Sequence, residues 1–249
     1  MIELIRNCIH CSEIATYLET DAFQRKHIIK TSTSKSGIKE IENEVEGWHF
    51  YQQRRYPSKE NPLCTIIQRN KCYMKIKIGY IEGIKPNYRY GLAKNCHILK
   101  QIVDHYCNIW PYSPNNRVPI HGDLSIEGNI IINEDGIHII DWEHFNVEGA
   151  PWGYDLVYCL LEALYFSMRG RCEPNQDELN IITENLKIII SYRPLSLQII
   201  QHPLLFINNF IISNSRIWNE QIDKFPLLKI GDNQRSRIDN LIYKKLCSV

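Results

Sequence analysis

Two short acidic stretches in the middle of this 249-residue chain hold the residues best suited to chemistry. The first reads His121-Gly122-Asp123-Leu124-Ser125-Ile126-Glu127-Gly128-Asn129, and the second reads Ile140-Asp141-Trp142-Glu143. Between them, Ile130 to Ile139 reads as a strand, a tight Asp135-Gly136 turn and a returning strand. A hairpin brings the chain back to where it left, so Asp123, Asn129 and Asp141 are expected to converge. Two carboxylates and an amide at one point suit a divalent cation and a phosphoryl group. Asp141 follows Ile137, Ile139 and Ile140 at the end of a strand that reads as buried, where a carboxylate needs a partner or a metal. Asp123 by itself reads more readily as a helix-cap or turn residue than as a catalytic one. The company of His121, Asn129 and Asp141 shifts that balance toward a catalytic role, that of a general base.

The rest of the composition narrows the class. A chain of this length makes one large domain or two small ones. Apolar residues make up 44%, charged residues 23%, and the net charge is +1. That balance argues against a general nucleic-acid binder, which shows a basic excess. Nine cysteines stand at irregular spacing with one CxxC, Cys8 and Cys11. They read as reduced thiols in a cytoplasmic protein, since a zinc site would want a second such pair. The stretch Met1 to Cys8 contains Glu3 and Arg6 and does not read as a signal peptide. The apolar run Pro203 to Ile212 is short and interrupted by Asn208 and Asn209, so no membrane insertion is expected.

Periodicity supplies the elements that must position the acids. Strands are expected at 14–19, 26–31, 63–68 and 72–80. Residues 32–37 read as a loop, and 38–54 as a helix through Ile38, Ile41, Val45 and Trp48. A linker runs from Tyr80 to about Gly91. Helices are expected at 92–110, 154–166, 177–192, 194–201, 203–213 and 235–246, with a loop at 111–117. The order is that of an α+β protein with a small antiparallel-sheet lobe (1–80), a mostly helical lobe (81–249) and a cleft between them.

This order, together with His121-x-Asp123, Asn129, an Asp141 standing 18 residues after Asp123, and Tyr154-Asp155-Leu156, resembles the protein-kinase-like fold of the aminoglycoside phosphotransferase and choline kinase family. The specific part of the resemblance lies between His121 and Asp155. It implies a bilobal fold and transfer of a phosphoryl group from ATP (or GTP), with Mg²⁺, to a small-molecule hydroxyl. An aminoglycoside, choline or another amino alcohol, or a sugar precursor would fit as acceptor. It implies Asp123 as base, His121 as a brace of the loop, and Asp141 and Asn129 as metal ligands. Glu143 is expected either as an added ligand or as a rim residue. Lys30 is implied at the α- and β-phosphates with Glu44 as its partner, Lys26 and Glu40 being the alternatives. Asp155 is implied as a prop for the catalytic loop.

Two departures stand out. Five residues, rather than four, separate Asp123 from Asn129; Gly128 is expected to absorb the extra one as a bulge, with Glu127 as the substitute ligand if it cannot. The phosphate-covering stretch from Asn7 to Ala15 has no glycine, and Ser12 is its candidate contact. The adenine is expected beside Ile78, Tyr80 and Ile81. The chain lacks the long segment with which protein kinases hold peptides, so a small acceptor is favoured. The aromatics Trp142, Phe145, Trp152, Tyr154, Tyr158, Tyr165 and Phe166 allow a quaternary ammonium without demanding it; the acids Glu143, Glu148 and Glu162 are available to an aminoglycoside, and a sugar precursor fits equally well. The rival readings are a nucleotide-binding or partner-binding module without turnover, and a metal-dependent phosphate hydrolase, which would want a richer His/Asp cluster.

Overall fold

Five strands near the amino terminus pair into one antiparallel sheet in the computed structural model, which describes residues 2–6, 13–58, 61–88, 91–113, 117–218 and 222–248 (for Arg6, the backbone alone). The chain divides into two units, residues 1–82 with 141–146, and residues 83–140 with 147–249.

The first unit is built on the strands β1 (Ile2–Arg6), β2 (Ala15–Thr20), β3 (Lys26–Ser32), β4 (Cys64–Asn70) and β5 (Tyr73–Gly79), in the order β1-β2-β3-β5-β4. β5 alternates as a half-buried strand must: Met74, Ile76 and Ile78 are buried, while Tyr73, Lys75 and Lys77 are less so. Lys30 on β3 pairs with Ile76, which puts its side chain on the buried face. Helix α1 (Lys35–Arg55) covers that face with Ile41, Val45, Trp48 and Tyr51. It starts three residues earlier than the apolar pattern suggests. Ser34 caps it, its hydroxyl accepting the Gly37 N–H at 3.1 Å, and so absorbs residues that read as a loop.

The segment 141–146 belongs to this unit. Trp142 is fully buried, with Trp48, Tyr51, Phe50 and Phe145 around it at centroid distances of 5.2 to 6.5 Å. A Cβ on Gly47 would stand 2.5 Å from the Trp142 Cβ. The glycine in α1 is therefore the gap into which the indole fits. Trp142 is thus a core residue of the first unit, not an exposed face for an acceptor.

The second unit contains α2 (Gly91–Ile109), β6 (Val118–Ile120), the single helical turn α3 (Ile126–Asn129), β7 (Ile130–Asn133), β8 (Gly136–Ile139), β9 (Asn146–Ala150), α4 (Tyr154–Met168), α5 (Gln176–Tyr192), α6 (Leu197–Gln201), α7 (Pro203–Ser213) and α8 (Asp232–Cys247). Helix α4 is buried almost all round, from Leu156 to Leu164, as expected of a central helix. It packs on α2, α5 and α7. The β7–β8 hairpin forms with Ile130 opposite Ile139 and Asn133 opposite Gly136, so its two-residue turn is Glu134-Asp135 and Gly136 opens the return strand. The short pair β6–β9 arises in stretches that carry no alternation long enough to read. Residues 194–196 stay outside α6, which Ser196 caps.

Among the described residues no helix is long and apolar enough to cross a membrane. The described cysteines, Cys64, Cys72, Cys96, Cys107, Cys159, Cys172 and Cys247, are all free thiols. Cys8 and Cys11 lie outside the described residues.

Replacing Gly47 by alanine pushes a methyl group into Trp142, and overpacking of this kind costs about 1–3 kcal/mol. A urea denaturation curve for Gly47→Ala is expected to show a lower midpoint at unchanged slope.

Candidate active site

In the first unit, the Lys30 ammonium is ringed by acids. Its Nζ lies 2.7 Å from Glu44 Oε2, 2.5 Å from Asp141 Oδ1 and 3.0 Å from Glu143 Oε1. The three protons of an ammonium are thereby matched to three carboxylates. Lys30 is 5% exposed and Glu44 0%, while the Asp141 side chain keeps 38% of its surface open. The second oxygen of Glu44 accepts the Trp48 indole N–H at 2.7 Å. Asn43 fixes the backbone on the far side of Trp142, donating to the Glu143 carbonyl at 3.1 Å. Lys26, by contrast, is exposed, its ammonium 5.4 Å from the centre of the Tyr80 ring.

Among the described residues, one positive group faces three negative ones. Burial works against the charge on Lys30, but the attraction of Asp141, Glu143 and Glu44 outweighs it and raises its pKa well above the usual value. Burial pushes the Glu44 carboxyl up to about 7; Lys30 pulls it down, while Asp141 and Glu143 add to the rise. Surplus negative charge in a water-poor place favours a proton or a metal cation. Oxygens of Glu44, Asp141 and Glu143 lie within 4.8 Å of one another, a grouping that a divalent cation can share.

In the second unit, the loop after β6 is held from below by Asp155, the second residue of α4. Asp155 accepts the His121 N–H at 2.9 Å, the Gly122 N–H at 3.0 Å and the Tyr106 hydroxyl at 3.0 Å. The Trp218 indole donates to the Gly122 carbonyl at 3.3 Å. Gly122 has φ +102°, a conformation that costs a residue without a side chain little. It turns the chain so that two successive N–H groups reach one carboxylate.

His121 Nε2 meets the Ile140 carbonyl at 2.9 Å, and a carbonyl only accepts, so this nitrogen carries a proton. Nδ1 lies 3.1 Å from Asp123 Oδ1. Burial opposes a charge on the ring, but the hydrogen bond and charge of Asp123 outweigh it and raise the His121 pKa. The imidazole therefore stands between the Asp123 carboxylate and the Ile140 carbonyl.

The residue inserted between Asp123 and Asn129 is taken up by the helical turn α3, with no left-handed bulge at Gly128. Ser125 caps the turn. Its hydroxyl accepts the Gly128 N–H and its carbonyl the Asn129 N–H, while its own N–H goes to Asn129 Oδ1 at 2.9 Å. Asn129 is buried, and its carbonyl accepts the Ile140 N–H at 2.9 Å. Glu127 points to solvent.

Of the positions suggested by the sequence, Lys30, Glu44, Asp141 and Glu143 form one cluster in the first unit, and His121, Asp123 and Asn129 share one loop in the second. Ser12 lies outside the described residues. Ile78 is buried in β5. Tyr80 is exposed, with its N–H given to the Lys26 carbonyl, and Ile81 is half-buried. Sequence reasoning passed over Tyr106, Trp218 and Ser125, whose partners lie 49, 96 and 4 positions away; only the Ser125-to-Gly128 capping distance was within reach of a local pattern.

No family model matches the chain, and no curated protein matches it. Solved structures do. The amicoumacin kinase hAmiN, in complex with AMP-PNP, Ca²⁺ and Ami, aligns over 98% of this chain and 88% of its own, with a TM-score of 0.51 at 14% identity. A mutant of aminoglycoside 2'-phosphotransferase-IIIa, as its GDP complex, aligns over 95% of this chain and 92% of its own, with a TM-score of 0.50 at 13% identity. The chain has an aminoglycoside phosphotransferase-like kinase fold of the α+β class.

A carboxyl whose pKa is higher in the folded than in the unfolded state holds a proton that the unfolded chain releases. Its contribution to stability is complete below the unfolded pKa and is lost as pH rises through the folded one. With Glu44 raised to about 7, the melting temperature in chelator is expected to fall between roughly pH 5 and 8. Mg²⁺ should raise it more at the upper end than at the lower, and Glu44→Gln should flatten the slope. Differential scanning calorimetry with and without metal reads all three.

Proposed function

We propose that this protein transfers the γ-phosphoryl group of ATP or GTP to a hydroxyl of a small molecule in a Mg²⁺-dependent reaction. The observation that carries the reading is the buried Lys30–Glu44 pair set beside Asp141 and Glu143 on a kinase-like fold. The neighbours bound to AMP-PNP and to GDP support a nucleotide as donor.

The residues fit a divalent cation by charge and by oxygen spacing. Glu44 is committed to Lys30 and Trp48, so Asp141 and Glu143 would hold the metal, with Asn129 as the further ligand that the motif implies. Bound there, Mg²⁺ would offset the negative charge of the phosphate oxygens. Lys30 serves the nucleotide phosphates. Asp141, the most open of its three partners, is the one to release it, which makes an N–H available to a phosphate oxygen. The Gly79 and Tyr80 N–H groups already serve Leu63 and Lys26, so among 78–81 the backbone of Ile81 is best placed for the adenine. Asp123 orients the acceptor hydroxyl and accepts its proton late in transfer. The His121 ring, anchored on the Ile140 carbonyl, lies beside that carboxylate and limits its direction. Asp155 and Trp218 keep the loop from turning away. The free thiols support a reducing compartment, the cytoplasm.

Engagement of all three Lys30 protons favours a second reading, a nucleotide-responsive module without turnover. The two part on one assay. ATP consumption is expected to require Mg²⁺ and to rise when a hydroxylated acceptor is added from a panel of amino alcohols, aminoglycosides and sugars. Asp123→Asn should lower kcat by about 10²–10⁴-fold, the scale of a lost general base, while nucleotide affinity by calorimetry stays within about twofold. Wild-type protein that binds ATP but consumes none with any acceptor would favour the second reading.

A further inference from the structure

Glu162, which the sequence offers as an acid available to a cationic acceptor, lies on α4, and only 6% of it is exposed. Both its oxygens are occupied. Oε1 accepts the Tyr158 hydroxyl at 3.0 Å, and Oε2 accepts that of Tyr88. A carboxylate engaged in this way does not wait for a ligand; it holds something in place. Tyr88 shows what is held. Its hydroxyl also lies 3.2 Å from Ser125 Oγ, and Ser125 is the residue on which the Asp123–Asn129 loop closes.

The segment that carries Tyr88 runs along this loop and is tied to it at other points. Ile84 exchanges two backbone hydrogen bonds with Ile132, at 2.8 and 2.9 Å. A Cβ on Gly83 would stand 2.5 Å from the Ile132 carbonyl oxygen, so this segment lies tight against β7. Lys85 Nζ donates to the Gly128 carbonyl at 3.2 Å. The Tyr88 ring stacks on Phe166 at 4.5 Å, one turn beyond Glu162 on α4. Residues 83–88 thus form a strap over the loop and hairpin, and Glu162 is its fastening on the central helix.

We infer that Glu162 and Tyr88 are positioning residues which, through Ser125, hold the 122–129 loop in the conformation that aims Asp123. The catalytic consequence rests on the proposed phosphoryl transfer; the hold on the loop does not.

The same contact is sensitive to pH. Burial pushes the Glu162 carboxyl up to about 7; hydrogen bonds from Tyr88, Ser125 and Tyr158 pull it down, and the charge of Asp123 adds to the rise. The titratable groups that face it are Tyr88 on the strap, Asp123 on the loop, and Tyr158 and Cys159 on α4. Ionisation places a second negative charge near Asp123 where little water screens it. A raised carboxyl pKa means that the contribution is full at low pH and is lost as pH rises through about 7.

The test compares wild type, Tyr88→Phe and Glu162→Gln by hydrogen exchange of the peptide covering 122–132, at roughly pH 6 and 8 with intrinsic rates divided out, together with Mg²⁺-dependent ATP turnover. Tyr88→Phe removes one hydroxyl and is expected to speed exchange in this peptide about tenfold and to lower kcat about tenfold, the scale of one buried hydrogen bond, with KM for ATP unchanged. Wild type should lose protection there between the two pH values, and Glu162→Gln should not. Unaltered exchange in Tyr88→Phe, or an equal pH response in wild type and Glu162→Gln, overturns the inference. Absence of ATP turnover in wild type would count against the proposed function alone, because the exchange data still decide whether the strap holds the loop.

Discussion

One buried ammonium organises the first unit. Withdrawing a charge from water costs several kcal/mol, and Lys30 is tolerable inside only because three carboxylates meet it. Those carboxylates arrive from different places: Glu44 from α1, and Asp141 and Glu143 from a segment 111 and 113 residues away in sequence. Sheet, helix and returning segment must therefore all be in place before any of these charges is satisfied. The apolar side of the same junction is Trp142, which separates the two acids in sequence and fills the gap at Gly47. Its indole sets the depth of the segment, and the acids on either side follow.

The second unit solves the converse problem. There the buried charge is a carboxylate, Asp155, and it is met by two backbone N–H groups and a phenol. Burial raises its pKa, while His121 and the three donors work against that rise. Because the donors belong to the loop itself, the carboxylate fixes backbone, not side chains. Asp123 is then the half-buried end of a braced loop: Tyr106 and Trp218 behind the turn, Ser125 closing it, and the imidazole of His121 held at Nε2 by the Ile140 carbonyl.

Much of this was legible in the sequence, and for a stated reason. Periodicity located α1, α2, α4, α5 and α8 because each buries one or more faces continuously. The spacing of His121, Asp123 and Asp141 identified the acidic loop; the Lys30–Glu44 pair was implied by the family resemblance, with Lys26 and Glu40 as alternatives, and the two side chains do meet. What escaped depended on contacts that no local pattern encodes. Trp142 read as one of several aromatics open to an acceptor because nothing near it in sequence reveals the gap left by Gly47. The turn of the β7–β8 hairpin shifted by one residue because pairing of Asn133 with Gly136, not turn propensity, sets the register. The helical turn α3 went unread because its cap and its closing amide, Ser125 and Asn129, are only four positions apart, too few to show a period.

Asp141 itself adopts φ +64°, the left-handed region that L-residues other than asparagine, aspartate and glycine seldom occupy. Its backbone shape and its charge are thus separable properties. Asparagine keeps the shape while deleting the charge, whereas alanine disturbs both and confounds an electrostatic effect with a conformational one. The same distinction limits the replacements this position can accept: a chain that gave up the charge but kept this backbone would be expected to carry asparagine or glycine here.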